Sequence, residues 1–184
     1  MPVNVSAAVE AAANGDRAAW SALVDRFTPL VWATVRAHRL SDADAADVVQ
    51  TTWLRLVEHL ERITDPERVG AWLATTARRE SLRVIAGGAR VTPTEALDDV
   101  ADRTPGPAQA VALQERDATL WRALDRLGDR CRALLRLLVN DPPPSYDEIS
   151  AAMDMPVGSI GPTRARCLAR LRDEIETLGI NGVV

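Results

Sequence analysis

The chain has 184 residues, 47% of them hydrophobic, and a formal net charge of −4, which is length for one ordinary domain or two small ones and apolar material for their cores. No stretch approaches the ~18 consecutive apolar residues of a membrane span, and the N-terminus lacks a basic segment followed by an apolar one. A soluble, cytoplasmic protein with no membrane partner is the expectation.

All 22 basic residues are arginine, a bias that together with abundant alanine fits a GC-rich genome more than any site chemistry. Tyr and Phe occur once each, and the valines fall on helical rather than alternating spacing, so an all-α fold is expected. Asp16 can cap a first helix whose apolar positions Trp20, Leu23, Val24, Phe27, Leu30 and Val31 recur at three and four.

The stretch SDADAADVVQTTWLRLVEHLERI begins with Ser41 or Asp42 as cap. It places Val49, Trp53, Leu56, Val57, Leu60 and Ile63 on one face, leaving Asp44, Asp47, Gln50, Thr51 and Arg55 on the other. In DPERVGAWLATTARRESLRVI, Asp65 is the expected N-cap and Pro66 the first helical residue, where its missing N–H costs nothing. Val69, Trp72, Leu73 and Thr76 form the inner stripe of that helix.

Helical patterning stops between Gly87-Gly88 and about Pro107, in GGARVTPTEALDDVADRTPGP, which reads as a flexible acidic linker. Residues 91–115 alone carry a net −4, equal to that of the whole chain, so the flanking halves are together neutral. Beyond it, Leu113, Leu120, Trp121, Leu124 and Leu127 mark one helix. Asp129 is the expected cap of another through Leu134, Leu135, Leu138 and Val139.

NDPPPSY interrupts the helical path. Ser145 and Glu148 then make a capping box for a short helix through Ile149, Ala152 and Met153. A turn with Pro156 and Gly158 leads to a longer helix starting near Ser159, with Pro162 in its first turn. Short helix, turn and long helix make a helix-turn-helix, whose second helix enters the major groove. Ile160, Cys167, Leu168, Leu171, Ile175 and Leu178 are expected in the core, with Thr163, Arg166 and Arg170 outside. Two readings compete: a DNA-reading face, or a solvated face whose arginines pair with Asp173, Glu174 and Glu176.

Cys131 and Cys167 lack metal-ligand spacing, and His38 and His59 lie near neither in sequence. No metal site and no cofactor are expected, and each cysteine reads by default as a free thiol acting as a small buried hydrophobe. No Gly-rich phosphate loop or Ser/His/Asp arrangement supports a catalytic site, so the chain is not expected to be an enzyme. Residues 145–180 hold six acids against four arginines. Weak counterion release follows, and something else must bring such a protein to DNA.

Taken in order, GDRAAWSALVDRFTPLVWATVRAH, DADAADVVQTTWLRLVEHL, GAWLATTARRESLRVI and ALDRLGDRCRALLRLLVNDPPPSYDEISAAMDMPVGSIGPTRARCLARLR resemble a bacterial RNA polymerase sigma factor of the sigma-70 family, extracytoplasmic-function group. The resemblance implies two small helical domains, 1–86 and 111–184, joined by the linker 87–110, with core RNA polymerase and promoter DNA as partners and an anti-sigma factor as a further class of partner. It implies core-polymerase contacts at Asp47, Gln50, Thr51, Leu54 and Arg55. Minus-ten contacts would come from Arg62 in the loop RITDPERV and from Arg78, Arg79 and Arg83. Trp72 is open either to core packing, which its spacing favours, or to the unstacked strand. The minus-thirty-five element would meet Ser159, Thr163, Arg164, Arg166 and Arg170. The chain departs from the family pattern at Thr51, Gly161, Pro162 and Thr163. A free-standing helix-turn-helix regulator is the rival reading.

Overall fold

A computed structural model describes residues 4–88 and 118–178. Among them every regular element is helical: α1 (Val5–Ala13), α2 (Arg17–Arg36), α3 (Asp42–His59), α4 (Val69–Ala86), α5 over 118–126, α6 (Asp129–Leu138), α7 (Tyr146–Met153) and α8 (Val157–Thr177). Most of the expected linker, and Leu113, lie outside the described residues.

Local chemistry fixes most helix starts. Asp16 caps α2, its Oδ1 accepting from the N–H groups of Ala18 and Ala19 at 2.8 and 3.1 Å. Ser41, not Asp42, caps α3: its Oγ accepts from the Asp44 N–H and donates to Asp44 Oδ2. That bond accounts for Asp44, which belongs to the cap rather than to the docking face. Ser145 and Glu148 form the expected capping box, at 2.6 and 3.2 Å.

Other starts differ from expectation. Asp65 makes no capping bond, and Pro66 opens a 3-10 turn (Pro66–Arg68) that precedes α4. Gly128, not Asp129, is the N-cap of α6, because the Asp129 carboxylate turns to Arg39 at 3.3 Å and Arg132 at 3.8 Å. Pro156 is the N-cap of α8, so Ser159 lies inside its first turn and Pro162 falls in the second. The sequence also hid α1, an alanine-rich helix capped by Asn4, whose side chain accepts from the Ala7 N–H at 3.0 Å.

Leu23, Phe27, Val31, Val35, Leu56, Val69 and Leu73 are fully buried at the centre of the first core. Leu124, Leu134, Leu135, Ile149, Met155 and Ile160 form the second. Leu137 of α6 and Ala152 of α7 belong to the first core, so α7 lies along α4 and α6 against α2. Close approach at Gly70 permits this packing, since a Cβ there would overlap Glu148 Oε1 and lie 2.7 Å from the Phe27 ring.

Several expected core positions are exposed instead: Val57, Leu120, Val139 and Leu168. The two cysteines are not free thiols. Cys131 and Cys167 are joined by a disulfide between the first turn of α6 and the middle of α8, with their Cα atoms 5.2 Å apart.

Candidate polymerase and nucleic-acid interfaces

Three separate faces carry the residues singled out in the sequence. On α3, Asp47, Gln50 and Leu54 recur at three and four and point to solvent, with Leu54 55% exposed. Thr51 is half-buried beside them. Arg55 turns inward, its Nε 2.8 Å from Glu80 Oε1 of α4, so of the five expected contacts it is the one already engaged. Val57, 57% exposed, continues the outer row by a further three residues. Two large aliphatic side chains one turn apart on a polar row make a small apolar strip.

The second face is a pocket of about 240 Å³ where α3 ends and α4 begins, lined by His59, Arg62, Ile63, Asp65, Arg68 and Trp72 among others. Two short 3-10 turns, Leu60–Arg62 and Pro66–Arg68, bend the chain around it. Trp72 packs partly against the first core, as its spacing favoured, and it also lines the pocket, with the His59 ring 5.8 Å away. A half-exposed indole beside two arginines is a surface on which a flat ring can stack.

Arg78, Arg79 and Arg83 follow on α4 but are not equivalent. The Arg78 guanidinium pairs with Asp154 in the turn between α7 and α8 at 3.2 Å. Arg83 pairs with the buried Glu80 at 3.0 Å. Arg79 is exposed and makes no ion pair among the described residues. His38 lies close to Arg78, and burial followed by that positive charge holds its imidazole below the usual histidine range.

The third face is the helix-turn-helix. Asp154, with φ of 50°, takes the left-handed conformation that closes α7, and α8 leaves the turn along a groove of about 540 Å³. Ser159, Thr163, Arg166 and Arg170 line one wall of that groove, and Arg130 of α6 lines the other. Arg166 Nη2 donates to Thr163 Oγ1 at 3.1 Å, which holds the guanidinium over the groove. Arg164 is exposed but lies outside this wall.

The competing solvated-face reading required ion pairs along α8. Among the described residues Arg164, Arg166, Arg170 and Arg172 make none, and Glu174 pairs instead with Arg126 of α5 at 3.5 Å. Arg130 was missed in the sequence because it sits 36 residues before Arg166, in a different helix. Only the packing of α6 on α8 brings it to the groove.

The Sigma-70 region 2 family matches residues 23–91, the stretch that builds the α3 row and the pocket. The chain is 29% identical over 167 residues to the ECF RNA polymerase sigma factor RpoE of Cereibacter sphaeroides, covering 87% of this chain and 88% of that one. Residues 23–91 thus match a sigma-70 region 2, and over most of its length the chain is similar to extracytoplasmic-function sigma factors. The ECF RNA polymerase sigma-E factor of Escherichia coli K12 is 25% identical over 178 residues, covering 91% of this chain and 90% of that one. The fold of this chain is similar to that of a chain in the structure of CnrH in complex with the cytosolic domain of CnrY. The TM-score is 0.58 at 21% identity, over 94% and 97% of the two chains.

This chain therefore acts as a sigma factor in transcription initiation, and the free-standing regulator is not favoured. Among its described residues no helix is long and apolar enough to cross a membrane.

Proposed function

We propose that the three faces divide the work of initiation. The outer row of α3, from Asp47 through Leu54 to Val57, docks on core RNA polymerase: an exposed acid and amide beside aliphatic side chains suit a partner surface of basic and apolar groups. The pocket around Trp72 takes a base unstacked from the minus-ten element, and Arg62, Arg68 and Arg79 neutralise the adjoining strand. Flipping a base costs stacking energy, which a shaped pocket and phosphate contacts recover. The groove between α6 and α8 reads the minus-thirty-five element. A chain of this type also admits an anti-sigma partner, for which the exposed α3 row is a ready surface.

The observation that carries this reading is that the α8 arginines make no ion pair among the described residues. Guanidinium groups committed to ion pairs would have to break them before meeting DNA. Here Arg166 is steered over the groove by Thr163 and Arg170 lies one turn further along the same wall.

Run-off transcription with core polymerase across promoter fragments tests the assignment. Holoenzyme is expected to initiate at a defined subset with a shared upstream element. Arg166→Ala should cost about 1–3 kcal/mol in promoter affinity and relax preference at one or two base pairs, as loss of a base-edge contact does. Arg170→Ala should weaken all promoters alike and flatten the salt dependence, as loss of a phosphate contact does. Unchanged output and preference in both variants would return the α8 arginines to the solvated-face reading.

A further inference from the structure

The Cys131–Cys167 disulfide lies where nothing in transcription initiation requires one. It joins the first turn of α6 to the middle of α8, and both cysteines line the groove that holds Thr163, Arg166 and Arg170 on one wall and Arg130 on the other. The bond therefore spans the two helices whose separation sets the width of the reading groove. We propose that this pair is a reversible thiol–disulfide site that controls how α8 is seated, with the disulfide as the reading-competent form. The proposal rests on the assignment of the groove to the minus-thirty-five element.

Geometry gives the coupling. Two bonded sulfurs sit about 2.0 Å apart, whereas non-bonded heavy atoms in contact need about 3.5–4.0 Å. Cys167 is fully buried and Cys131 nearly so, among Leu134, Met155 and Ile160. Packed side chains on every other side leave little room for the sulfurs to part by rotation alone. Breaking the bond pushes α8 away from α6, and Thr163, Arg166 and Arg170 then move relative to Arg130. Tightly packed interiors turn such small shifts into discrete rearrangements.

Access comes from the same groove. It is large enough, at about 540 Å³, to admit a small thiol reagent to a bond that is otherwise enclosed. Exchange proceeds by thiolate attack on one sulfur, then displacement of the other, and Arg130 and Arg166 supply positive charge around that anion. In the reducing direction a dithiol reductant gives up two electrons and two protons and closes to its own disulfide, while Cys131 and Cys167 become thiols. In the oxidising direction glutathione disulfide takes the two electrons and the two thiol protons and leaves as two molecules of glutathione, while Cys131 and Cys167 close to the disulfide.

The test equilibrates the full chain in buffers of graded reduced and oxidised glutathione. Free thiols are counted by alkylation and mass, and amide hydrogen exchange is followed over residues 157–177. A reversible transition from two thiols to none is expected, with exchange in α8 at least fivefold faster in the dithiol form. With core polymerase, output from promoters that need the upstream element should fall at least fivefold on reduction. Cys131→Ser, at the less buried partner, should hold the chain in the low-output state whatever the buffer, and Cys167→Ala should match it.

The proposal is overturned if both thiols stay free in oxidised glutathione, if the disulfide survives dithiothreitol until the chain unfolds, or if α8 exchanges equally in both forms. Holoenzyme that initiates at no promoter would instead remove the groove assignment, while thiol count and exchange would still decide the redox site.

Discussion

Gly70 shows how one residue decides the contact between the two halves. It sits in the first turn of α4 with the Glu148 carboxylate against it and the Phe27 ring behind, and Glu148 is held in place by its bond from the Ser145 N–H. Gly70→Ala is expected to destabilise by about 1–3 kcal/mol, the usual cost of forcing extra volume into a packed site. It should also free α7 from α4, seen as faster hydrogen exchange over 146–153; unchanged stability and exchange would mean that Glu148 swings aside without consequence. Nothing in VGAWLATTAR marks this glycine, because an isolated glycine in a helical pattern signals a close approach only after the partner is known. His38 acts at the same joint. Its depressed imidazole favours the neutral form in the fold, whereas the unfolded chain titrates near pH 6.5. Below that pH the unfolded state binds the extra proton more readily. Stability should therefore fall as pH drops from 7.5 toward 5.5, where a protonated ring would face the Arg78 guanidinium. Thermal unfolding of His38→Gln across that range should have a flatter slope than the parent; equal slopes would place the pH response elsewhere.

At the scale of elements, the helices that were legible are those whose signals are local. Asp16, Ser41 and the Ser145–Glu148 box cap helices in the structure, because a cap needs only a side chain and an N–H two or three residues away. The core of α2 followed its period in the same way, with Leu23, Phe27, Leu30 and Val31 buried. Signals that depend on a second helix were not legible. Val57 reads as core by spacing yet faces solvent, and the pairing of Cys131 with Cys167 follows no sequence rule, since α6 and α8 must pack before the sulfurs meet. The exposure of Val57 sharpens the docking prediction. Gln50→Ala with Leu54→Ala removes one polar and one apolar contact from a row that is already solvent-facing, so helicity and thermal stability should stay within about 0.5 kcal/mol of the parent, as for ordinary surface changes. Affinity for core polymerase should fall at least tenfold, and Val57→Ala should weaken it further. Native affinity in the double variant would move the interface off α3.

For the whole molecule, charge and packing together govern how it meets DNA. The net charge is −4, so no broad basic surface drives counterion release. The two halves also lie against each other, with Arg78 of α4 committed to Asp154 of the helix-turn-helix turn. A duplex offered to the isolated chain would meet the α6–α8 groove and the Trp72 pocket at whatever separation the α4–α7 packing imposes, and on the proposed assignment Arg78 would have to give up its partner. If core polymerase docks on the α3 row as proposed, it supplies the affinity for DNA that the chain lacks. The isolated protein is therefore expected to bind promoter duplex weakly at moderate salt, with a shallow dependence on salt concentration, since few phosphates are neutralised. Fluorescence anisotropy with labelled promoter and scrambled duplexes measures this directly. Holoenzyme should bind the promoter at least a hundredfold more tightly than the chain alone, and the chain should barely distinguish the two duplexes. Gly70→Ala, by loosening α7 from α4, should narrow the gap by improving binding of the isolated chain. If the isolated parent instead bound its promoter tightly and specifically, neither the acidic balance nor the packed halves would be limiting, and the groove of α8 would suffice on its own.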